Sequence, residues 1–172
     1  NADYTVMSYS DADPTTSQYY VSWSGSGSQV TPSLTEIEPV TPMVMDVLAI
    51  QTIYGANTHA HTGNDTYTFD RWIYPATLND AGGVDTIDLS TTTDPSDVDL
   101  TPGAYSSIAF RTIDQQINDV VAAHPGVSRA AVADYYNQVS AETHVFTGEN
   151  DLGIAYGTTI ENVVGGSGSD SI

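Results

Sequence analysis

From His59 onward, apolar and polar residues alternate in short runs bounded by Gly, Asn and Asp. Thr66-Tyr67-Thr68-Phe69, Thr86-Ile87-Asp88-Leu89 and Val98-Asp99-Leu100 set every second side chain apolar, which predicts half-buried strands. The same pattern returns over Leu152 to Ala155 and Thr159 to Val164. Two stretches break it. Ile113, Ile117, Val120 and Val121 recur at helical spacing, as do Val127, Ala131, Val132 and Tyr135. A helical hairpin is therefore predicted over Ile113 to Ala123 and Val127 to Val139, divided at His124-Pro125-Gly126 and inserted into a β framework. Nearer the N-terminus, Thr41-Pro42 reads as an N-cap followed by proline at the first helical position, and Gly55 as the stop. Apolar residues surround the helix between them, from Met43 to Tyr54, on nearly all sides, so it is expected to be buried. Residues 1–40 hold a Ser/Gly run from Ser22 to Ser28 and are expected to be loop-rich with little regular structure.

Charge changes this picture most. The 172 residues carry 22 acidic side chains against 3 basic ones, a formal charge of −19. Nucleic acid and anionic membrane are excluded as partners, because phosphate recognition needs the opposite sign. Self-repulsion of this size opposes a compact state unless cations offset it, which points to divalent metal; a merely soluble or salt-adapted surface is the plainer alternative. Cysteine is absent, which removes disulfides, thiolate catalysis and Cys-ligated zinc together. No apolar run approaches the ~20 residues that span a bilayer, and no basic segment followed by an apolar one opens the chain. The chain opens at Asn1 and stops inside a glycine-rich motif at Ile172, as a piece of a larger polypeptide is expected to do.

The candidate chemistry lies in acidic turns. Gly165-Gly166-Ser167-Gly168-Ser169-Asp170-Ser171-Ile172 matches eight positions of the nonapeptide GGxGxDxUx, whose parallel β-helix binds calcium between turns. Glycines there permit tight turns that aim carbonyls at the ion, and Asp170 supplies a hard anionic oxygen. Asp80-Ala81-Gly82-Gly83-Val84-Asp85 has a similar arrangement of carboxylates around glycines just before a strand, and Gly63-Asn64-Asp65-Thr66 forms another acidic turn. Alternation places Thr159 and Glu161 on one side of a strand. Converging, these separated elements could supply the 6–8 oxygens calcium takes. Taken singly, each reads equally well as an ordinary hairpin turn or a Gly/Ser linker.

Met7-Ser8-Tyr9, the run from Asp46 to Asn57 ending Tyr-Gly-Ala-Asn, Asp80 to Thr86, and Gly157 to Asn162 followed by Gly165-Gly166-Ser167-Gly168 resemble the serralysins, metzincin proteases bearing RTX repeats. The resemblance implies a mainly β fold with a few helices. Residues 1–57 would end a metzincin catalytic domain, and residues 58–172 would begin a calcium-binding parallel β-roll or sandwich, with the helical hairpin inserted at about 110–150. It implies that Met7 packs beneath a zinc site and that Tyr9 ligates zinc or stabilises an oxyanion. It implies one calcium site from the carbonyls of His61 and Gly63 with Asp65, Asp80, Gly82 and Asp85. A neighbouring one would use Gly83, Asp85, Thr159 and Glu161, and β-roll ions would begin at Gly166, Gly168 and Asp170. The implied whole is a secreted, extracellular zinc endopeptidase acting on proteins or peptides. The alternative is a non-catalytic calcium-binding RTX module of structural or adhesive kind.

Departures qualify the likeness. H-E-x-x-H-x-x-G-x-x-H, whose histidines would bind zinc, is not in this sequence, so a further segment carrying it is the expected partner. His59 and His61 form an H-x-H pair without an accompanying Glu-bearing helix, and His124 and His144 have no partners at ligand spacing. His61 stands where the family usually has Arg, which a carbonyl ligand tolerates.

Overall fold

The computed structural model describes residues 17–69 and 74–172. In chain order these form β1 (Gln18–Ser26), β2 (Gln29–Ile37), α1 (Val44–Tyr54), β3 (Thr66–Thr68), β4 (Ala76–Leu78), β5 (Thr86–Asp88), β6 (Tyr105–Ser106), α2 (Ile113–Ala123), α3 (Arg129–Glu142), β7 (His144–Val145), β8 (Leu152–Ile154) and β9 (Asn162–Val164). Nine strands in three small sheets outnumber three helices among the described residues, as the alternating pattern implies. The described residues form two compact units: one holds residues 38–69, 74–110 and 148–172, the other residues 17–37 and 111–147.

In the first unit, β3, β5 and β9 form one parallel sheet. Thr66 pairs with Thr86, twenty residues on, and Thr86 pairs with Asn162, seventy-six residues on. A second sheet aligns β4 parallel with β8 at that same larger stride, Ala76 with Leu152, and adds β6 antiparallel. One interruption thus displaces both sheets equally, and the register survives it. Parallel strands bury both faces and are rich in branched apolar residues. Ile87, Leu89, Ile108, Leu152 and Ile154 are accordingly inaccessible at the centre of this unit. The predicted strand over Val98 to Leu100 reduces to an isolated bridge at Asp97, which pairs antiparallel with Ser107 and parallel with Ser171.

α1 differs from expectation in two ways. Its N-cap is Met43 rather than Thr41, and the Asp46 carboxylate accepts the Met43 N–H at 2.8 Å. The Thr41 hydroxyl instead accepts the Thr77 N–H at 2.7 Å, so the predicted cap secures a strand. Only Val44, Asp46 and Val47 are buried, while Met45, Ile50, Ile53 and Tyr54 are exposed, Tyr54 at 82%. Val44 lies over Gly153 in β8, where an added Cβ would fall 2.5 Å from the valine methyl.

The second unit corrects the loop-rich reading of residues 1–40 for its described part. Gln18-Tyr19-Tyr20-Val21-Ser22-Trp23 is aromatic and β-branched, and that composition prevails over the Ser/Gly content. β1 and β2 pair antiparallel from Gln18 with Ile37 to Ser26 with Gln29. Gly27, at φ 59°, takes the first position of the two-residue turn, where hairpin twist requires a positive angle. The parallel partner of β1 is β7. Both predicted helices are present: Thr112 and Gln115 cap α2 reciprocally, and Ser128 caps α3, whose start therefore falls at Arg129 rather than Val127. Val21, Ile117, Val132, Tyr136, Val139 and Val145 form the core, and Trp23 meets Tyr135 edge-on at 5.5 Å.

Candidate metal centre

Met7 and Tyr9 lie outside the described residues. The acidic turns before β3, before β5 and before β9 lie next to one another because the parallel register puts those three strand starts side by side. Asp85 is the hub. Its Oδ1 accepts the Asp65 N–H at 2.8 Å, its own N–H donates to Glu161 Oε2 at 2.7 Å, and its carbonyl accepts the Asn162 N–H at 3.0 Å. The residue is wholly buried, yet Oδ2 has no hydrogen-bond partner. An ionised oxygen in that position costs several kcal/mol unless a cation or donor meets it.

Gly83 shows how tightly the loops meet. At φ 153° it brings its Cα so near Gly63 that an added Cβ would stand 1.8 Å from the Gly63 carbonyl oxygen and 2.9 Å from Asp85 Oδ1. Gly82, at φ 142°, donates its N–H to Asp80 Oδ1 at 2.8 Å. The other oxygen of Asp80 accepts the Tyr67 O–H at 2.6 Å. Burial, then that bond and the charges of Asp80, Asp65 and Asp85, push the Tyr67 phenol upward, so it stays a donor. His61, at φ 52°, sets Nδ1 3.4 Å from Asp65 Oδ2, and its ring lies 6.2 Å from that of Tyr67. His61, Asp65 and Asp80 each offer one ligand atom within 4.8 Å of the others.

The structure thus brings together His61, Gly63, Asp65, Asp80, Gly82, Gly83, Asp85 and Glu161. Thr159 departs from expectation: it is exposed, and it precedes β9 instead of lying in a strand. Its neighbour Thr158 is fully buried, and its hydroxyl accepts the Asp80 N–H at 2.9 Å while donating to the Asp80 carbonyl at 3.1 Å. The parity of buried Ile160 was the available signal, because Thr158 shares its side of the chain. Tyr67, Asn64 and Asn162 also went unrecognised as supports; Asn64 Oδ1 accepts the Val84 N–H at 3.0 Å.

Gly166, Gly168 and Asp170 gather separately. Asp170 accepts from the Gly166 N–H at 2.8 Å and from the Ser96 N–H at 2.9 Å. Added Cβ atoms would stand 2.5 Å from the Thr92 carbonyl oxygen at Gly166 and 2.5 Å from that of Asp94 at Gly168. Backbone carbonyls and one carboxylate lie close together there, the oxygen chemistry that hard divalent cations take. The buried orphan oxygen of Asp85 makes the first cluster fit a cation as well.

No protein-family model matches the chain. It is 30% identical over 142 residues to Serralysin C of Dickeya chrysanthemi, covering 75% of this chain and 22% of that protein. Against Serralysin of Proteus mirabilis it is 29% identical over 182 aligned positions, covering 98% of this chain and 26% of the relative. Metalloprotease AprA of Pseudomonas entomophila is 28% identical over 180 aligned positions, 97% of this chain and 27% of the relative. The chain thus spans about a fifth to a quarter of the length of the curated relatives it matches. Over the stretch it spans, this chain is a relative of the serralysin-type metalloproteases.

Proposed function

We propose that this chain is the calcium-binding part of a secreted, zinc-dependent metalloendopeptidase of serralysin type that hydrolyses peptide bonds in proteins. The observation that carries the calcium reading is the buried, unpartnered Oδ2 of Asp85, set among acidic turns from three separate segments. One ion would be held by Asp65, Asp80 and Asp85 with the carbonyls of His61, Gly63 and Gly82. A second would draw on Gly83, Asp85, Thr159 and Glu161, and the Gly166, Gly168 and Asp170 cluster would begin a β-roll series. Calcium there neutralises carboxylates that otherwise repel, and so supplies stability rather than chemistry.

The proteolytic chemistry needs zinc held by an H-E-x-x-H segment, which this sequence does not contain. Met7 would pack beneath that zinc, and the Tyr9 hydroxyl would ligate it or donate to developing negative charge. Exposed Met45, Ile50, Ile53 and Tyr54 on α1 offer an apolar face that such a segment would cover.

The test is thermal melting with calcium and with a chelator. Calcium at about a hundred times its dissociation constant adds about 2.7 kcal/mol, or roughly 5–10 °C in Tm for a chain of this size. Asp85→Ala is expected to lose most of that rise and Asp97→Ala, an exposed side chain, to keep it. A melt unmoved by chelator overturns the calcium reading. Restored peptide hydrolysis on adding an H-E-x-x-H segment separates the protease from a non-catalytic RTX module.

A further inference from the structure

The same loops carry one donor that the calcium reading leaves unused, the His61 imidazole, beside two carboxylates, Asp65 and Asp80, that it shares with that reading. Calcium is a hard ion satisfied by oxygens, and the reading above engages His61 only through its carbonyl. That carbonyl already accepts the Ala81 N–H at 3.3 Å. The imidazole, by contrast, is turned toward Asp65, with Nδ1 and Oδ2 3.4 Å apart, and one Asp80 oxygen completes a triplet whose atoms lie within 4.8 Å of one another. For metal–ligand bonds of about 2.1 Å, two ligand atoms on one tetrahedral edge stand about 3.4 Å apart. The His61 to Asp65 spacing therefore already equals a coordination edge, and the Asp80 oxygen needs a shift of about 1.4 Å or less to complete a face.

We propose that His61, Asp65 and Asp80 form a site for a divalent transition ion of the zinc or cobalt type, with the His61 imidazole as the selecting ligand. Imidazole beside carboxylates suits such ions and is foreign to calcium sites. One feature outside the triplet points to a cation, and one within it supports a ligating role. Asp85, bonded through Oδ1 to the Asp65 N–H, keeps a fully buried Oδ2 without a partner in the same loops. Asp80 is held from outside by the Tyr67 hydroxyl and the Gly82 N–H, the kind of second-layer bonding that aims a ligating carboxylate. His61 also stands at φ 52°, a conformation a non-glycine residue adopts at a cost.

The experiment titrates cobalt(II) into the metal-stripped chain at one neutral pH and follows the visible d–d absorption of the bound ion. One saturable site is expected, with affinity at least about tenfold lower in His61→Arg and in His61→Ala and unchanged in His59→Ala. The calcium-dependent rise in Tm should persist in both His61 variants, because their carbonyls remain. No saturable absorption, or equal cobalt affinity with and without the imidazole, overturns the proposal while leaving the calcium reading intact. Loss of the calcium response with cobalt binding retained would sink the calcium reading and leave this site standing.

Discussion

Asp151 shows what one side chain can impose. It is fully buried, Oδ1 accepts the Ile108 N–H at 2.9 Å, and Oδ2 has no partner. Burial, opposed by bonds from the backbone N–H groups of Ile108 and of Asp151 itself, raises its carboxyl from 3.8 to about 8. The folded chain therefore holds a proton that the unfolded chain gives up. Stability from this group is complete below about pH 4 and is lost as the pH rises toward about 8. Asp151→Asn keeps the acceptor for Ile108 and removes the titration. Melting the two side by side should give matching temperatures at the acid end and a higher one for the variant at the alkaline end; parallel curves refute this. Residues of this kind are hard to see in a sequence, where Asp151 follows Glu149 and Asn150 and looks like one more polar turn residue. Asp85 was legible because glycines and a following strand constrain it. Thr158, whose hydroxyl holds the Asp80 backbone, was not, since its burial depends on a parity that only the buried Ile160 fixes.

At the level of elements, periodicity located helices and parallel strands but not what they pack against. α1 is apolar all round, and the inference of complete burial failed because only its Val44 side rests on β8. Val44→Ala is accordingly expected to cost roughly 2 kcal/mol through lost packing, and Ile53→Ala less than about 0.5 kcal/mol in the isolated chain. Denaturant midpoints of both variants decide it, and equal losses would mean that both sides are covered. β6 and β7, at two residues each, are too short to carry a period. The hairpin of β1 and β2 is masked in the sequence by its Ser and Gly content, which favours a loop. Its outer strand is protected: Pro32 pairs with Trp23 in mid-strand and has no N–H to offer an added strand.

For the molecule as a whole, the acidic side chains are shared between the two units roughly in proportion to their size, and the larger unit holds the metal-site candidates. The other unit is assembled from two stretches, residues 17–37 and 111–147, that no pattern in the chain associates. Deleting 111–147 alone, with the ends rejoined by a short linker, should leave Val21 without Ile117, Val132 and Tyr136. Such a chain is expected to bind a hydrophobic dye and aggregate, whereas deletion of both stretches should not; light scattering distinguishes them. The separation also has a consequence in time. During synthesis at about 5–20 residues per second, the hairpin leaves the ribosome and waits on the order of ten seconds for the helices that cover it. An early, long-lived, half-finished sheet is where a holding chaperone would be needed most, and Pro32 is already present in the nascent chain to discourage a neighbouring strand from joining it.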